Sequence, residues 1–330
     1  MRTLFNTNVA EEERRGEFGG RSEAQMTVPH PAVQVDSPTE QRNPRTTDID
    51  RMSTVGILGL INAEDRRVPE AVSEVLPQLA VAVDLAVETL RGGRRVHYVG
   101  AGTSGRLAVL DAAELVPTFN VPPDWFVAHH AGGDRALREP VENAEDDAKA
   151  GAAELSAMVD PGDFVLGLTA SGRTPYVLGA LKEASGRGAR TALVSCNPRT
   201  VQPPWLDVLI GVDTGPEAIA GSTRMKAGTA QKVILTSFST AAMIKLGRTY
   251  SNLMVSLRAT NAKLRGRTIR ILREATGASE QDCADALVEA GGDLKVALVH
   301  LLCGVDSATA ISLLEANGGR VRDTLGACIP

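Results

Sequence analysis

From Pro69 to Leu90 the apolar residues Val72, Val75, Leu76, Leu79, Val83, Val87 and Leu90 recur at the three-and-four spacing of one helix face. Gly92-Gly93 closes the run. The pattern then changes: short apolar runs at Val96–Val99, Phe126–Ala128, Phe164–Leu168, Thr191–Val194 and Val208–Val212 alternate with longer helical stretches. Buried strands separated by helices predict right-handed crossovers and a parallel sheet, hence an α/β fold with flanking helices. Beyond about Gly277, Ala286–Gly292 is echoed by Ser312–Gly319, which predicts glycine-capped helices in a small C-terminal bundle. Residues 1–38 mix charge, Gly and Pro without periodicity and are expected to be a disordered tail. The expected division is a tail at 1–38, a sheet domain at 39–265 and a helical bundle at 266–330.

In a parallel sheet, ligands gather at the carboxyl ends of the strands. Two loops there look alike: Gly100-Ala101-Gly102-Thr103-Ser104-Gly105-Arg106 and Thr169-Ala170-Ser171-Gly172-Arg173-Thr174-Pro175. Each sets Ser-Gly-Arg between a strand and a helix start, where free N–H groups, the helix dipole and hydroxyls can hold an anion. Two such loops in one sheet can grip two edges of a phosphorylated ligand, although Ser104 and Ser171 would equally serve as helix caps. A third segment runs from Glu217 through Ser222, Thr223 and Lys226 into a long helix. It fits either another anion site or a capped helix with a solvated lysine.

Gly100, Gly102 and Gly105 also spell the dinucleotide fingerprint, but the next strand ends in His129-His130-Ala131 with no acidic residue for a ribose hydroxyl. The adjacent histidines should point to opposite faces of their strand and are taken as structural. The acidic run Glu139, Glu142, Glu145, Asp146 and Asp147 reads first as a solvated helix face, though crowded carboxylates also suit acid–base work.

Composition narrows the function further. The 330 residues are 43% hydrophobic but only 3% aromatic, and the net charge of −5 with dispersed basic residues leaves no footprint for nucleic acid. No apolar run is long enough for a membrane span, and Glu11 to Arg15 stand where a signal peptide would be apolar. A cytoplasmic protein is expected. Cys196, Cys283, Cys303 and Cys328 show no metal or redox spacing and are expected as buried or idle thiols.

Taken together, Thr39–Pro44, Asp48–Arg51, Gly100–Glu114, Glu142–Asp146, Ala170–Tyr176, Ser195–Pro198, Gly221–Lys232 and Asn252–Val255 resemble the sugar isomerase (SIS) fold. Within it they are similar to the N-acetylmuramic acid 6-phosphate etherases, in order from Thr39 to the end; the Gly221–Lys232 block is the most specific part. The resemblance implies a phosphorylated amino sugar as substrate and cleavage of its D-lactyl ether without metal or redox cofactor. It also implies a homodimer with shared active sites, Glu114 as general acid and Glu145 as base. On an unbroken helix Glu114 would stand roughly 15 Å from Ser104, so a bend before Pro117 or the partner subunit would have to bring acid and phosphate loop together. A regulator that only binds phosphosugars, or an aldose–ketose isomerase, would share the loops but not the whole set.

Overall fold

The computed structural model describes residues 37–256 and 262–328. The expected tail lies outside them except for Ser37 and Pro38, which are already buried beside Thr39. Two helices, α1 (Thr54–Asp65) and α2 (Arg67–Ser73), lead into α3 (Leu76–Arg91). The single helix expected over Pro69–Leu90 is thus broken at Glu74-Val75. Pro77 has no N–H for the Ser73 carbonyl and its ring crowds that oxygen, so α3 starts afresh with the proline in its first turn.

The sheet follows, strands alternating with helices until β4, which runs to β5 without one: β1 (Val96–Gly100), α4 (Gly102–Phe119), β2 (Phe126–His130), the short α5 (Gly133–Ala136), α6 (Ala148–Met158), β3 (Phe164–Thr169), α7 (Pro175–Gly186), β4 (Arg190–Ser195), β5 (Val208–Gly211) and α8 (Lys226–Lys245). Its five strands lie in the order β2-β1-β3-β4-β5, all parallel. Side chains alternate between two cores, as the pleat requires. Tyr98, Phe164, Leu166, Leu168, Val194 and Ile210 face α3, α4 and α8, while Val99, Val165 and Leu193 face α6 and α7. A methyl at Gly167 would come within 2.8 Å of both Val177 and Leu181, so glycine there lets α7 lie flat on the central strand.

The acidic run is not a helix. Pro140 and Asn143, the latter left-handed at φ 61°, turn it into an irregular loop with one 3-10 turn at Ala144–Asp146. Asp147 then caps α6 by accepting from the Ala150 N–H.

After α8 come a two-stranded antiparallel pair, β6 (Thr249–Tyr250) and β7 (Leu253–Met254), and five helices. These are α9 (Ala262–Thr276), α10 (Glu280–Glu289), α11 (Leu294–Cys303), α12 (Ser307–Ala316) and α13 (Val321–Cys328). Their core of Ile271, Leu272, Leu294, Leu298 and Leu314 also takes in Tyr250, Leu253, Met254 and Val255. The echoed segments end α10 and α12 on Gly291-Gly292 and Gly318-Gly319, all four at positive φ. Their N–H groups close the last turns, with Gly292 donating to Leu287 O and Gly319 to Leu314 O. One reading of the cysteines is corrected: Cys303 and Cys328 are joined as a disulfide, because the fold brings α11 and α13 side by side, while Cys196 and Cys283 are buried thiols.

Candidate functional site

The strand order reverses between β1 and β3, since the chain leaves β1 toward β2 on one side and β3 toward β4 on the other. A crevice opens at the carboxyl ends of the strands at such a point. The two Ser-Gly-Arg loops flank it, leaving neighbouring strands whose ends pair Gly100 with Leu168.

Two glycines of the first loop have packing roles and the third a conformational one. A methyl on Gly100 would meet Gly105 N at 2.6 Å, and one on Gly105 would meet Gly100 O at 2.6 Å and the His130 ring at 2.5 Å. Gly102 adopts φ 54°, open to few other residues. These contacts press the first turn of α4 onto β1 and aim its free N–H groups at the crevice. Thr103 is half-buried and Ser104 is 7% exposed. Arg106 is turned away from the crevice and donates to Leu137 O and Ala136 O.

The second loop is held by hydroxyls. Thr169 Oγ1 lies 2.7 Å from Thr174 Oγ1 and accepts from Gly172 N–H, while Ser171 Oγ accepts from Arg173 N–H. Asn197, from the loop after β4, donates to Ser171 O. Gly172, at φ 77°, tucks under Ser195 and Thr200, where any side chain would collide with Thr200 Oγ1.

The third segment is placed differently from either sequence expectation. Lys226 is not solvated, and the anion it meets is a carboxylate of the chain itself: its side chain is 1% exposed and Nζ donates to Glu64 Oε2 at 2.6 Å. Arg45 Nη2 and Asn43 Nδ2 donate to the same carboxylate at 2.8 and 2.9 Å. The Arg45 hydrogen bonds above all, then those of Lys226 and Asn43, hold the Glu64 carboxyl down at about 2. Glu217 is buried too, and caps α8 by accepting from the N–H groups of Lys226 and Ala227; burial raises its carboxyl above the usual range. The strip from Ser37 to Thr46 braces this loop: Thr39 O accepts from Gly221 N–H, Asn43 donates to Pro216 O and Thr46 to Ala218 O. Ser222 and Thr223 are half-buried, and Gly228 seats Thr103 against the first turn of α8. Glu64, Arg45 and Asn43 carry no sequence signal of this role, because they meet Lys226 only through the fold.

Glu145 sits exposed on its 3-10 turn, which packs against α7, the helix that the second loop opens. Gly151 and Gly179 let α6 and α7 touch backbone to backbone: a methyl on either would come within 2.2 Å of a carbonyl oxygen of the other helix. A polar chain, buried up to the half-exposed Glu154, ties these helices to the sheet. His97 bridges Asp163 and His129, whose other nitrogen meets Glu154, and Tyr176 donates to Glu154 at 2.5 Å. Burial pulls His97 down to about 4, so it is neutral near pH 7. His129 and His130 do point apart, His130 toward Gly102 O.

Glu114 is exposed on α4, which runs unbroken through Pro117. It therefore stays roughly 15 Å along the helix from Ser104 within one chain. One turn earlier, Asp111 accepts from Tyr98 and Ser239. Burial outweighs those hydrogen bonds and raises its carboxyl to about 6. A carboxyl whose folded pKa lies above its unfolded one adds stability below about pH 4, and that contribution is lost as pH rises through about 6. Asp111→Asn should accordingly be more favourable, relative to the parent, at pH 7.5 than at pH 4 by up to about 3 kcal/mol. Urea unfolding at the two pH values measures this, and an equal difference at both would contradict it.

Among the described residues no cluster of three His, Cys, Asp or Glu side chains could hold a metal ion. Nor, among them, is any single helix long and apolar enough to cross a membrane. The parallel sheet, the reversal at β1 and β3 and the paired hydroxyl loops define an SIS-type protein. Residues 78–185 match the family model described as the glucokinase regulatory protein N-terminal SIS domain. The chain is 61% identical over 272 residues to the N-acetylmuramic acid 6-phosphate etherase of Thermobifida fusca (strain YX), covering 82% of this chain and 89% of that protein. It is 51% identical over 289 residues to the enzyme of the same name from Rubrobacter xylanophilus (strain DSM 9941 / JCM 11954 / NBRC 16129 / PRD-1), covering 87% and 95%. The chain belongs to the N-acetylmuramic acid 6-phosphate etherase family. A phosphoheptose isomerase structure from Francisella tularensis is similar at 20% identity and a TM-score of 0.45, over 58% of this chain and 98% of that one.

Proposed function

We propose that this chain hydrolyses the D-lactyl ether of N-acetylmuramic acid 6-phosphate, giving N-acetylglucosamine 6-phosphate and D-lactate. The observation that carries the reading is the pair of hydroxyl-rich loops on adjacent strands at the switch point, in a member of the etherase family. Gly102, Thr103 and Ser104 form one wall of the sugar-phosphate site and Ser171, Arg173 and Thr174 the other. Ser222 and Thr223 stand at the third, whereas Glu217 and Lys226 act from beneath as its buried support.

The ether oxygen at C3 is β to C1. Once the ring opens, the aldehyde acidifies the C2 proton; Glu145 removes it, Glu114 protonates the departing lactate oxygen, and water adds to the alkene at C3. The protein works as a homodimer in the cytoplasm. Leu110, one turn before Glu114 on the outer face of α4, is 54% exposed, which favours a partner covering that face and sharing the acid between subunits.

Incubating the pure chain with the substrate and assaying D-lactate is the direct test. No lactate, with intact phosphosugar binding, would favour the non-catalytic regulator suggested by the SIS match over residues 78–185. Ser171→Ala should weaken binding of N-acetylglucosamine 6-phosphate by about 1 kcal/mol or more, read by calorimetry. Unchanged affinity in both Ser171→Ala and Ser104→Ala would remove the loops from the site.

A further inference from the structure

A cavity of about 910 Å³ lies between the sheet domain and the C-terminal bundle, far from the switch-point crevice. It reaches Asn120, the left-handed cap that ends α4, whereas the crevice lies at the start of that 18-residue helix. The two are therefore separated by roughly 25 Å.

The charges in the cavity are unbalanced. Arg248 is held by the Trp125 ring, 4.9 Å from its centroid, and by donation to Asn120 O. Lys295 Nζ donates to Gly319 O at 2.7 Å. All these partners are neutral. The nearby carboxylate, Asp293, spends one oxygen on the N–H groups of Lys295 and Val296 as the cap of α11. Burial first, and the charge of Arg248 next, pull the Lys295 ammonium down to about 8, and Asp293 opposes this only in part. Arg265 adds a third cation at the exposed rim, and Ile269, Leu287 and Leu294 supply an apolar wall. Cations taken out of water without a counter-charge are costly, and an oxyanion entering between them offsets that cost. A bare inorganic ion would fill little of the space and leave the apolar wall wet; the volume is that of a small organic ligand site.

We infer that this cavity binds a small organic oxyanion, a carboxylate or phosphate carried on an apolar body, at a site separate from the sugar-phosphate crevice. The oxyanion sits between Arg248 and Lys295 and the body lies along Ile269, Leu287 and Leu294. Because the cavity joins the end of α4 to α9, α10 and α11, its occupant clamps the bundle to the helix that carries Glu114.

The test uses the full chain with N-acetylglucosamine 6-phosphate saturating the crevice. 1-Naphthyl phosphate, 1-naphthylacetate, 1-naphthol and inorganic phosphate are titrated by calorimetry, and amide hydrogen exchange locates the protection. At least one naphthyl anion is expected to bind, more tightly than naphthol or inorganic phosphate, and to protect α9 to α11 but not residues 100–106 or 170–174. Lys295→Gln and Arg248→Gln should each weaken it at least tenfold while keeping the parent's circular dichroism; Lys295→Arg should retain it. The inference is overturned if neither anion binds, if protection falls only on the two loops, or if both glutamine variants, still folded, bind as the parent does.

Discussion

Glu145→Gln should release D-lactate roughly 10²–10⁴-fold more slowly than the parent, the range that one positioned general base contributes. The amide keeps the size of the side chain but cannot accept the C2 proton, and the Glu145 side chain is exposed, so the exchange removes no buried contact. Turnover in D2O should place deuterium at C2 of the product in the parent and abolish C2 exchange in the variant. Glu114→Gln should lose lactate release yet retain some C2 exchange, because proton removal does not require the acid. In ¹⁸O-water the label should appear at C3 of the sugar and not in lactate; label in lactate would mean displacement at the lactyl carbon. Turnover of both variants within tenfold of the parent would leave each carboxylate less than about 1.4 kcal/mol of the barrier, and both assignments would fall.

Glu64→Gln should destabilise the fold by about 3–5 kcal/mol, the usual result of removing one member of a buried ion pair. The Lys226 ammonium, 1% exposed, would be left facing a neutral amide, and Arg45 would lose its carboxylate too. Lys226→Met should cost less, because Glu64 keeps Arg45 and Asn43. The double variant should be less destabilised than the sum of the two single variants, since neither charge is then stranded. The pH dependence has a definite sign. With its folded pKa depressed to about 2 from the usual 4.5, Glu64 contributes stability that is present above about pH 4.5 and lost as pH falls toward 2. Urea midpoints at pH 7 and pH 3 should therefore differ less for Glu64→Gln than for the parent. A variant within 1 kcal/mol of the parent at pH 7 would show that the pair is not the brace of the Gly221–Lys226 loop.

The strands and the two Ser-Gly-Arg loops at their carboxyl ends were legible in the sequence because their signals are local. A β-strand buried on both faces must be an apolar run, and a helix start that meets a ligand needs glycine and hydroxyls within a few residues, as at Gly102–Ser104 and Ser171–Thr174. The helix break at Glu74-Val75 was also written locally, in Pro77, but the apolar periodicity continues across it and masks it. What only tertiary structure decided is the fate of the charges. Lys226 at a helix start has the same neighbours in sequence whether it meets solvent, phosphate or a carboxylate. Glu64, 162 residues away along the chain, settles the matter by arriving on α1 with Arg45 and Asn43. The same holds for His97 and His129, which stand 32 residues apart in the chain until parallel pairing of β1 and β2 sets them 2.9 Å apart. Sequence determined the strands and which loops follow them at the sheet's carboxyl end, since these follow from local periodicity and φ preferences. Pairing between distant ionisable groups depends on contacts that the chain makes only when folded, and those contacts fix which cations are buried support and which remain for a ligand.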